Sequence, residues 1–192
     1  MNQMRSISWD QSKKITEDML ARLVPLDEEN LRVLDGENGI YIVAYEGDKL
    51  RFNLTVSAGA KPVYVGISKF NSSRHFKSGF TGTSTMRRSL GALLEHELDL
   101  QPIPRSLDEN DQDRFNNYAF TAESEERLTV WMRENFQMAF LELDKEQLEA
   151  MQIALIEYNI PIFNFQHNPN NKYGAEIKNY RKKCAERAAT HG

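Results

Sequence analysis

Two tyrosines, one in each of two short strand-like runs, are the first residues of this sequence that could do chemistry. The run GIY occupies residues 39–41, the run YVG occupies residues 64–66, and Arg74 follows Tyr64 by ten residues. A Tyr beside a Gly on a strand is, on its own, typical of packing. A phenol can donate or accept a hydrogen bond, and a guanidinium is a planar, permanently charged ligand for phosphate. The two runs together with Arg74 are therefore far more specific than either run alone.

A second pattern lies at the C-terminal end of the region that begins with these runs. Leu155 and Ile156 are followed by Pro161 and then by Asn164. With the two tripeptides, this spacing resembles the GIY-YIG nuclease superfamily, in which a helix carrying a catalytic Glu runs into a proline and a terminal asparagine. The resemblance covers about residues 38–165, nearly two-thirds of the chain. It implies a divalent-metal-dependent DNA endonuclease that hydrolyses phosphodiester bonds.

The resemblance also assigns roles to residues. Hydrolysis of a phosphodiester needs an activated water, neutralisation of charge on the phosphate oxygens and help for the leaving oxygen. By the resemblance, Tyr41 or Tyr64 orients or deprotonates the water, and Mg²⁺ or Mn²⁺ is bound by oxygen ligands. A free Tyr has a pKa of about 10, so it could act as a base only if the metal and a nearby cation lower that pKa. Arg74 would hold the scissile phosphate, and Asn164 would brace the site by hydrogen bonds.

His75 is the one histidine placed beside a candidate site residue. It could serve as a second acid or as a phosphate contact next to Arg74. On a strand the two side chains would face opposite ways, so they can converge only in a loop. The remaining histidines show no ligand spacing to one another, which argues against a histidine metal cluster. They are His96, His167 and His191.

Gln152 is the main departure from the family pattern. The family's metal-binding Glu lies twelve residues before the terminal Asn, and counting back from Asn164 reaches Gln152. On a helix, Gln152 falls within the apolar stripe that contains Met151 and Leu155, so it is expected on the side facing the sheet. Gln keeps the shape and one acceptor oxygen of Glu but loses the charge on which affinity for hard cations depends. We therefore expect weak metal binding and weak turnover from this sequence.

Three explanations for Gln152 stay open at the level of sequence. The residue can be a deliberate Glu→Gln change that traps substrate on an intact site, which we favour because the rest of the motif is present. Alternatively, the natural protein is an inactive DNA binder. In the third explanation Glu149, one turn earlier and about 60° round the helix, supplies the carboxylate.

Charge is strongly segregated along the chain, although the net charge is only −4. Residues 49–94 contain eight Lys or Arg and no Asp or Glu, whereas residues 95–149 contain fifteen acidic and five basic residues. A local basic field attracts polyanions. We therefore expect the acid-free window to contact the DNA backbone, and the basic residues at 172–187 to add a sequence-independent clamp. The candidate substrate-binding residues in the window are Lys69, Lys77, Arg87 and Arg88.

Two further hypotheses accompany the endonuclease. The first is a catalytically inactive DNA-binding protein on the same fold. The second is a structural or regulatory partner whose acidic segment mimics DNA.

Many family members carry a Lys directly after the second tripeptide, where this chain has Ile67. The loss of this Lys weakens only an auxiliary phosphate contact. The expected partner is duplex DNA, and a double-strand cut would require a homodimer or two sequential nicks.

The elements that must position these residues follow from periodicity. Residues 40–45, 63–67 and 138–143 are strand-like, and the first two can pair as antiparallel neighbours. Thr83 or Ser84 can cap one helix and Ser124 can cap another. Asp144 with Gln147 forms a capping-box pattern that opens the last helix of the motif. The fold class is therefore α+β: a small three-stranded, mainly antiparallel sheet flanked by helices, with N-terminal helices and a basic C-terminal tail.

Composition bounds the remaining possibilities. With 40% apolar and 27% charged residues, the chain has ordinary globular composition. No apolar run reaches the ~20 residues of a membrane helix, and the single cysteine excludes an intrachain disulfide. The N-terminal residues lack an apolar run, so we expect no secretory signal. We expect a soluble, cytoplasmic protein. The predicted domains are an N-terminal helical segment at residues 1–34, a nuclease domain at 35–168 with an insertion at about 95–135, and a basic tail at 169–192.

Overall fold

A computed structural model describes residues 7–45, 50–51, 55–56, 62–69 and 71–190. The chain forms two compact units. The first contains residues 1–49, 57–73 and 135–171, and the second contains residues 50–56, 74–134 and 172–192. The predicted division at residues 34 and 168 rests on sequence patterns and on the extent of the motif, and it stays a prediction.

The first unit is an antiparallel sheet with helices. Its helices are α1 (Trp9–Leu20), α2 (Glu28–Leu31), α3 (Val33–Gly36) and α6 (Leu148–Asn159). Its strands are β1 (Val24–Pro25), β2 (Gly39–Tyr45), β5 (Pro62–Ser68) and β8 (Phe136–Glu142). A short 3₁₀ turn covers Lys145–Gln147. A second 3₁₀ turn, Ser72–Phe76, has only its first two residues in this unit.

The sheet has the order β1-β8-β2-β5, and every pairing is antiparallel. The predicted pairing of the two tripeptide strands is confirmed, with Tyr41 opposite Gly66. The third predicted strand is also present as β8, beside β2. The sheet gains a fourth, two-residue strand because Val24 and Pro25 pair with the far edge of β8. The α+β class is confirmed.

The core of the first unit lies between one face of the sheet and helices α1 and α6. Ile40 and Ile42 project from β2, and Val65 projects from β5. Leu155 and Ile156 project towards them from α6. All five side chains are buried. Burial of this kind contributes about 1.5–3 kcal/mol for each large aliphatic side chain. The apolar stripe predicted for α6 is therefore the surface that holds this helix against the sheet.

The ends of the helices follow local chemistry. Ser8 and Gln11 form a capping box at the start of α1. The capping box predicted from Asp144 and Gln147 is replaced by a 3₁₀ turn in which the Gln147 N–H donates to the Asp144 carbonyl, so α6 begins at Leu148. At its other end, Ile160 takes a left-handed conformation with φ 52°. Pro161 then prevents continuation of the helix, as predicted.

The second unit is mainly helical. Its helices are α4 (Thr85–Leu94), α5 (Ala122–Asn135, whose last residue belongs to the first unit) and α7 (Gly174–Thr190), with a 3₁₀ turn at Thr81–Thr83. Its strands are β3 (Leu50–Arg51), β4 (Thr55–Val56), β6 (Pro102–Ile103) and β7 (Ala119–Phe120), in two short antiparallel pairs. The residues predicted as a basic tail include α7, which packs against α4.

Of the two helix caps predicted in this unit, one is present and the other is not. Of the two candidate caps of α4, Thr83 and Ser84, it is Ser84 that caps the helix, because its Oγ accepts a hydrogen bond from the Arg87 N–H. Ser124 does not cap α5, since the helix already begins at Ala122. Its Oγ instead accepts hydrogen bonds from the Gln101 N–H and the Thr121 hydroxyl, and it is buried. Among the described residues, no helix combines the length and the apolar character needed to cross a membrane.

Candidate functional site

The two tyrosines of the motif lie on neighbouring strands with their rings side by side. Their ring centroids are 5.9 Å apart and the ring planes are tilted by 47°. Tyr41 is buried, and Tyr64 is half-buried. Gly66 is what allows this arrangement, since a Cβ at that position would collide with the Tyr41 ring. The glycine of the second tripeptide therefore makes room for the tyrosine of the first.

Asn164 holds the outer edge of strand β5, next to Tyr64. Its side-chain oxygen accepts a hydrogen bond from the Val65 N–H at 2.9 Å, and its side-chain nitrogen donates to the Val65 carbonyl at 2.9 Å. Because β5 is the edge of the sheet, these backbone groups have no neighbouring strand to pair with. Asn164 supplies the missing partner, and the bracing hydrogen bonds expected of it are present.

The loop that carries Asn164 is itself held by two further asparagines. The side-chain nitrogens of Asn168 and Asn171 donate to the Asn164 carbonyl at 3.0 and 3.2 Å. The neighbouring Phe163 N–H donates to the Val63 carbonyl, so the loop follows the strand for several residues. Asn164 is buried, with 8% of its surface exposed. Its position is therefore fixed from both sides.

Gln152 reaches the same point on β5 from helix α6. Its side-chain nitrogen donates to the Val65 carbonyl at 3.3 Å, and the residue is half-buried. This confirms that position 152 faces the sheet. An ionised carboxylate has no proton to donate, so a Glu at position 152 could not make this hydrogen bond. By contrast Glu149, the alternative carboxylate, is exposed.

The side chains of this site do not fit a tightly bound divalent cation. Mg²⁺ prefers hard, charged oxygen ligands. The residue at the family's ligand position is an amide that uses its nitrogen on the Val65 carbonyl. Nowhere in the described part of the chain do three His, Cys, Asp or Glu residues come together as a metal-binding group. A metal site of ordinary strength would need a carboxylate that this sequence lacks at position 152.

Lys69 lies just beyond the end of β5 and is exposed. Its N–H donates to the Ser72 hydroxyl at 3.1 Å, which fixes the backbone where the strand ends. Ser73, which follows Ser72, donates both its N–H and its hydroxyl to the Asp35 carboxylate, at 3.0 and 2.5 Å. The side chain of Lys69 is thus available to solvent on a well-anchored turn.

Arg74 and His75 belong to the second unit, in the 3₁₀ turn Ser72–Phe76, and both are half-buried. The Nδ1 atom of His75 lies 2.8 Å from the Ser84 hydroxyl. Burial, followed by the positive charges of Arg74 and Arg87, lowers the pKa of His75 to about 4. His75 is therefore neutral at pH 7. The predicted role as a second acid is not supported by this pKa, and a neutral hydrogen-bonding role is what remains.

The burial of Arg87 and Arg88 disagrees with the prediction that both contact phosphate. The Arg87 side chain is fully buried, and its Nη2 lies 2.7 Å from the Glu125 carboxylate. Arg88 is 5% exposed, and its Nη1 donates to the carbonyls of Thr81 and Gly82. Burial lowers the pKa of both guanidinium groups, for Arg88 to about 10. Arg87 has no surface to offer a phosphate, so its assignment to substrate binding is wrong, and Arg88 has almost none. Lys77 is exposed.

Glu125 is a residue that the sequence analysis missed. It shares the buried side of α5 with Leu128 and Met132, three and seven residues later. A carboxylate on such a stripe must find a partner, because an unpaired buried charge is very unfavourable. That periodicity is the signal that could have identified it. Within the first unit, Gln152 and Asn164 both bind the backbone of Val65 on β5, and Tyr41 lies beside Tyr64, the residue before Val65.

Comparison with known proteins identifies the family to which the chain belongs. A family model described as the GIY-YIG catalytic domain matches residues 39–183, which is more than half of the 192 residues. No curated protein and no solved structure matches the chain.

Proposed function

This chain belongs to the GIY-YIG nuclease family, and from that premise we propose that it binds duplex DNA as an endonuclease whose cleavage step is disabled or strongly slowed by Gln152. In this proposal, a carboxylate at position 152 confers endonuclease activity that depends on Mg²⁺ or Mn²⁺. The reaction is hydrolysis of one phosphodiester bond per site.

One observation carries this proposal. Gln152 and Asn164 both donate a side-chain N–H to the Val65 carbonyl, on the strand segment between Tyr64 and Gly66. The side chain at position 152 thus already projects to the strand that bears the second tyrosine. Replacing its amide by a carboxylate would place a negative charge there with little change in shape. These contacts support the proposal of a hydrolytic site that lacks only the charge at position 152.

In this proposal, the tyrosines, Arg74 and Asn164 have separate roles in hydrolysis. Tyr41 or Tyr64 orients the attacking water through its hydroxyl group. Tyr64, which is half-buried, is better placed for this than Tyr41, which is buried and lies beside it. Arg74 holds the scissile phosphate through its charged fork. Asn164 keeps the Tyr64 strand in place by closing its edge.

Exposed lysines would supply the affinity for DNA that is independent of sequence. Lys69 and Lys77 flank Arg74 in the chain and are exposed. On α7, the exposed lysines are Lys178, Lys182 and Lys183, of which Lys182 lies 3.8 Å from the Glu186 carboxylate. Each lysine that neutralises a phosphate releases counterions, so binding through these groups falls steeply with salt.

The proposal is tested by introducing the missing charge. Gln152→Glu is expected to nick supercoiled plasmid DNA in Mg²⁺ or Mn²⁺, and cleavage should stop when EDTA is added. Adding Arg74→Ala or Tyr64→Phe to Gln152→Glu should abolish nicking. The matched control is Gln166→Glu, which adds the same charge at an exposed position of the same unit. A Gln152→Glu protein that folds but cleaves no duplex or branched DNA in either metal would refute the endonuclease proposal.

A second candidate function is a DNA-binding protein with no hydrolytic activity. It is favoured by the hydrogen bond from Gln152 to Val65, which a carboxylate cannot make and which suits a natural glutamine at this position. This function predicts tight, metal-independent and strongly salt-dependent binding to DNA, with no cleavage by any variant at position 152. Measuring affinity with and without EDTA, beside the nicking assay, separates the two candidates.

A further inference from the structure

The segment from Arg74 to Ser84, here called the arginine loop, is held in the second unit by hydrogen bonds rather than by a sheet. His75 lies against the Ser84 hydroxyl at one end, and Ser84 in turn caps helix α4. Near its middle, Gly79 has a φ of 83°, in the left-handed region that glycine favours. The arrangement of this loop therefore depends on the groups that bind its backbone.

Glu125 and Arg87 bind the middle of the arginine loop from two helices. The Glu125 carboxylate accepts a hydrogen bond from the Gly79 N–H at 3.1 Å. Arg87 donates to the Thr81 hydroxyl at 3.2 Å. The same two side chains pair with each other at 2.7 Å, with 0% and 2% of their surfaces exposed. One buried ion pair thus holds two points of the loop.

Further contacts fix this pair in a single geometry. The Nη2 atom of Arg87 also donates to the Thr129 hydroxyl at 3.0 Å. Glu125 also accepts from the Phe120 N–H at 3.4 Å. A buried ion pair often contributes little net stability compared with well-packed apolar residues, but it can specify one arrangement. Two apolar side chains could pack α4 against α5, yet they could not bind the Gly79 N–H or the Thr81 hydroxyl.

We propose that Arg87 and Glu125 are positioning residues, which act by fixing the arginine loop and thereby the guanidinium of Arg74. This inference rests on the proposed function, in which Arg74 holds the phosphate. Neither member of the pair touches DNA, because neither has exposed surface. The pair can therefore influence DNA binding only through the arginine loop.

The test combines a structural and a functional readout in the full chain. Glu125→Gln keeps the shape of the side chain but removes the charge of the pair. Hydrogen exchange at the Gly79 amide should become about tenfold faster in this variant, because its hydrogen bond is weakened. Glu123→Gln, an exposed change on the same helix, is the matched control and should leave that exchange unchanged.

The functional readout is a double-mutant cycle on the affinity for a short duplex of mixed sequence at low salt. Glu125→Gln should weaken binding about tenfold when Arg74 is present and less than about twofold in an Arg74→Ala background, because coupled residues are not additive. An equal loss in both backgrounds would mean that the pair is merely structural and would overturn the inference. Unchanged binding despite faster loop exchange would overturn it as well.

A milder variant keeps the inference testable if Glu125→Gln does not fold. Thr81→Val removes only the loop's contact with Arg87 and leaves the ion pair in place. It is expected to show the same dependence on Arg74, with a smaller loss of affinity. The proposed function is judged separately by Arg74→Ala alone. If that change leaves DNA affinity intact, the role of Arg74 is wrong, and only the fixing of the loop, measured by exchange, would survive.

Discussion

The side chain of Asn164 pairs with the backbone of Val65 as a neighbouring strand would, through one accepted and one donated hydrogen bond. The two residues are 99 positions apart in the chain. The contact closes the open edge of β5 beside Tyr64. We therefore propose that the terminal asparagine of the motif holds this strand in place.

Asn164→Asp tests this role. The carboxylate can still accept from the Val65 N–H, but it cannot donate to the Val65 carbonyl and instead repels it. We expect the free energy of unfolding at pH 7 to fall by about 1–3 kcal/mol, as for a buried polar group left without its partner. Urea denaturation measures this change. Asn170→Asp, at an exposed position of the same loop region, is the control and should have little effect. Equal stability of the two variants would contradict the bracing role.

Gln152→Glu should make the thermal stability of the protein depend on metal. Without metal, the variant loses the hydrogen bond to the Val65 carbonyl and is expected to be about 1 kcal/mol less stable. Adding Mg²⁺ should raise the melting temperature of Gln152→Glu, because a ligand that binds only the folded state stabilises it. The unsubstituted chain should show no such increase. Differential scanning calorimetry in EDTA and in Mg²⁺ provides both measurements, and a similar metal response from both proteins would contradict this prediction.

Gly66→Ala should be much more damaging than its small size suggests. The new methyl group would collide with the ring of Tyr41 on the paired strand. Overpacking of this kind typically costs about 1–3 kcal/mol. The matched control is Gly36→Ala, since a Cβ at Gly36 would meet no atom within 4 Å. Thermal unfolding of the two variants measures the difference, and an unaffected Gly66→Ala would mean that the tyrosine ring has room to move.

His75 should make the protein sensitive to mild acid. Its pKa is lowered from 6.5 to about 4 in the folded protein, mainly by burial and then by Arg74 and Arg87. Above pH 6.5 the residue is neutral in both states and contributes nothing. As the pH falls from 6.5 towards 4, the unfolded chain takes up the proton first, so stability is lost, by a few kcal/mol at most.

The measurement for His75 is a series of denaturation curves between pH 7 and pH 4. His75→Asn should flatten the loss of stability in this window, whereas His96→Asn, at an exposed position, should not. NMR titration of the His75 ring gives the pKa directly. A value near 6.5 would show that the ring is more solvated than its burial beside Ser84 indicates.

Most of the first unit could be predicted because its signals are local. Alternating and β-branched runs around residues 39–45 and 62–68 specify strands, and the spacing of the two tripeptides indicates which strands pair. The apolar stripe of α6 likewise follows from a period of 3.6 residues, and it correctly places position 152 towards the sheet. The short strand β1 was not predictable, because two residues carry no periodicity.

The basic residues show where local reasoning ends. Lys69, Lys77, Arg87 and Arg88 are alike in sequence as members of one acid-free window. The fold exposes both lysines and buries both arginines. Charge indicates an affinity for phosphate, but exposure decides whether a phosphate can reach the group. Exposure depends on which distant elements pack over the side chain.

The sequence by itself determined the family, the strand pairing at the motif and the absence of a carboxylate at position 152, because each of these depends on residue type and spacing alone. Only the tertiary structure decided that Gln152 donates to the Val65 carbonyl, that Asn164 closes the same strand edge, and that Arg87 is paired with Glu125. Those contacts join residues dozens of positions apart. A side chain's partner is set by three-dimensional packing, which no local period or spacing encodes.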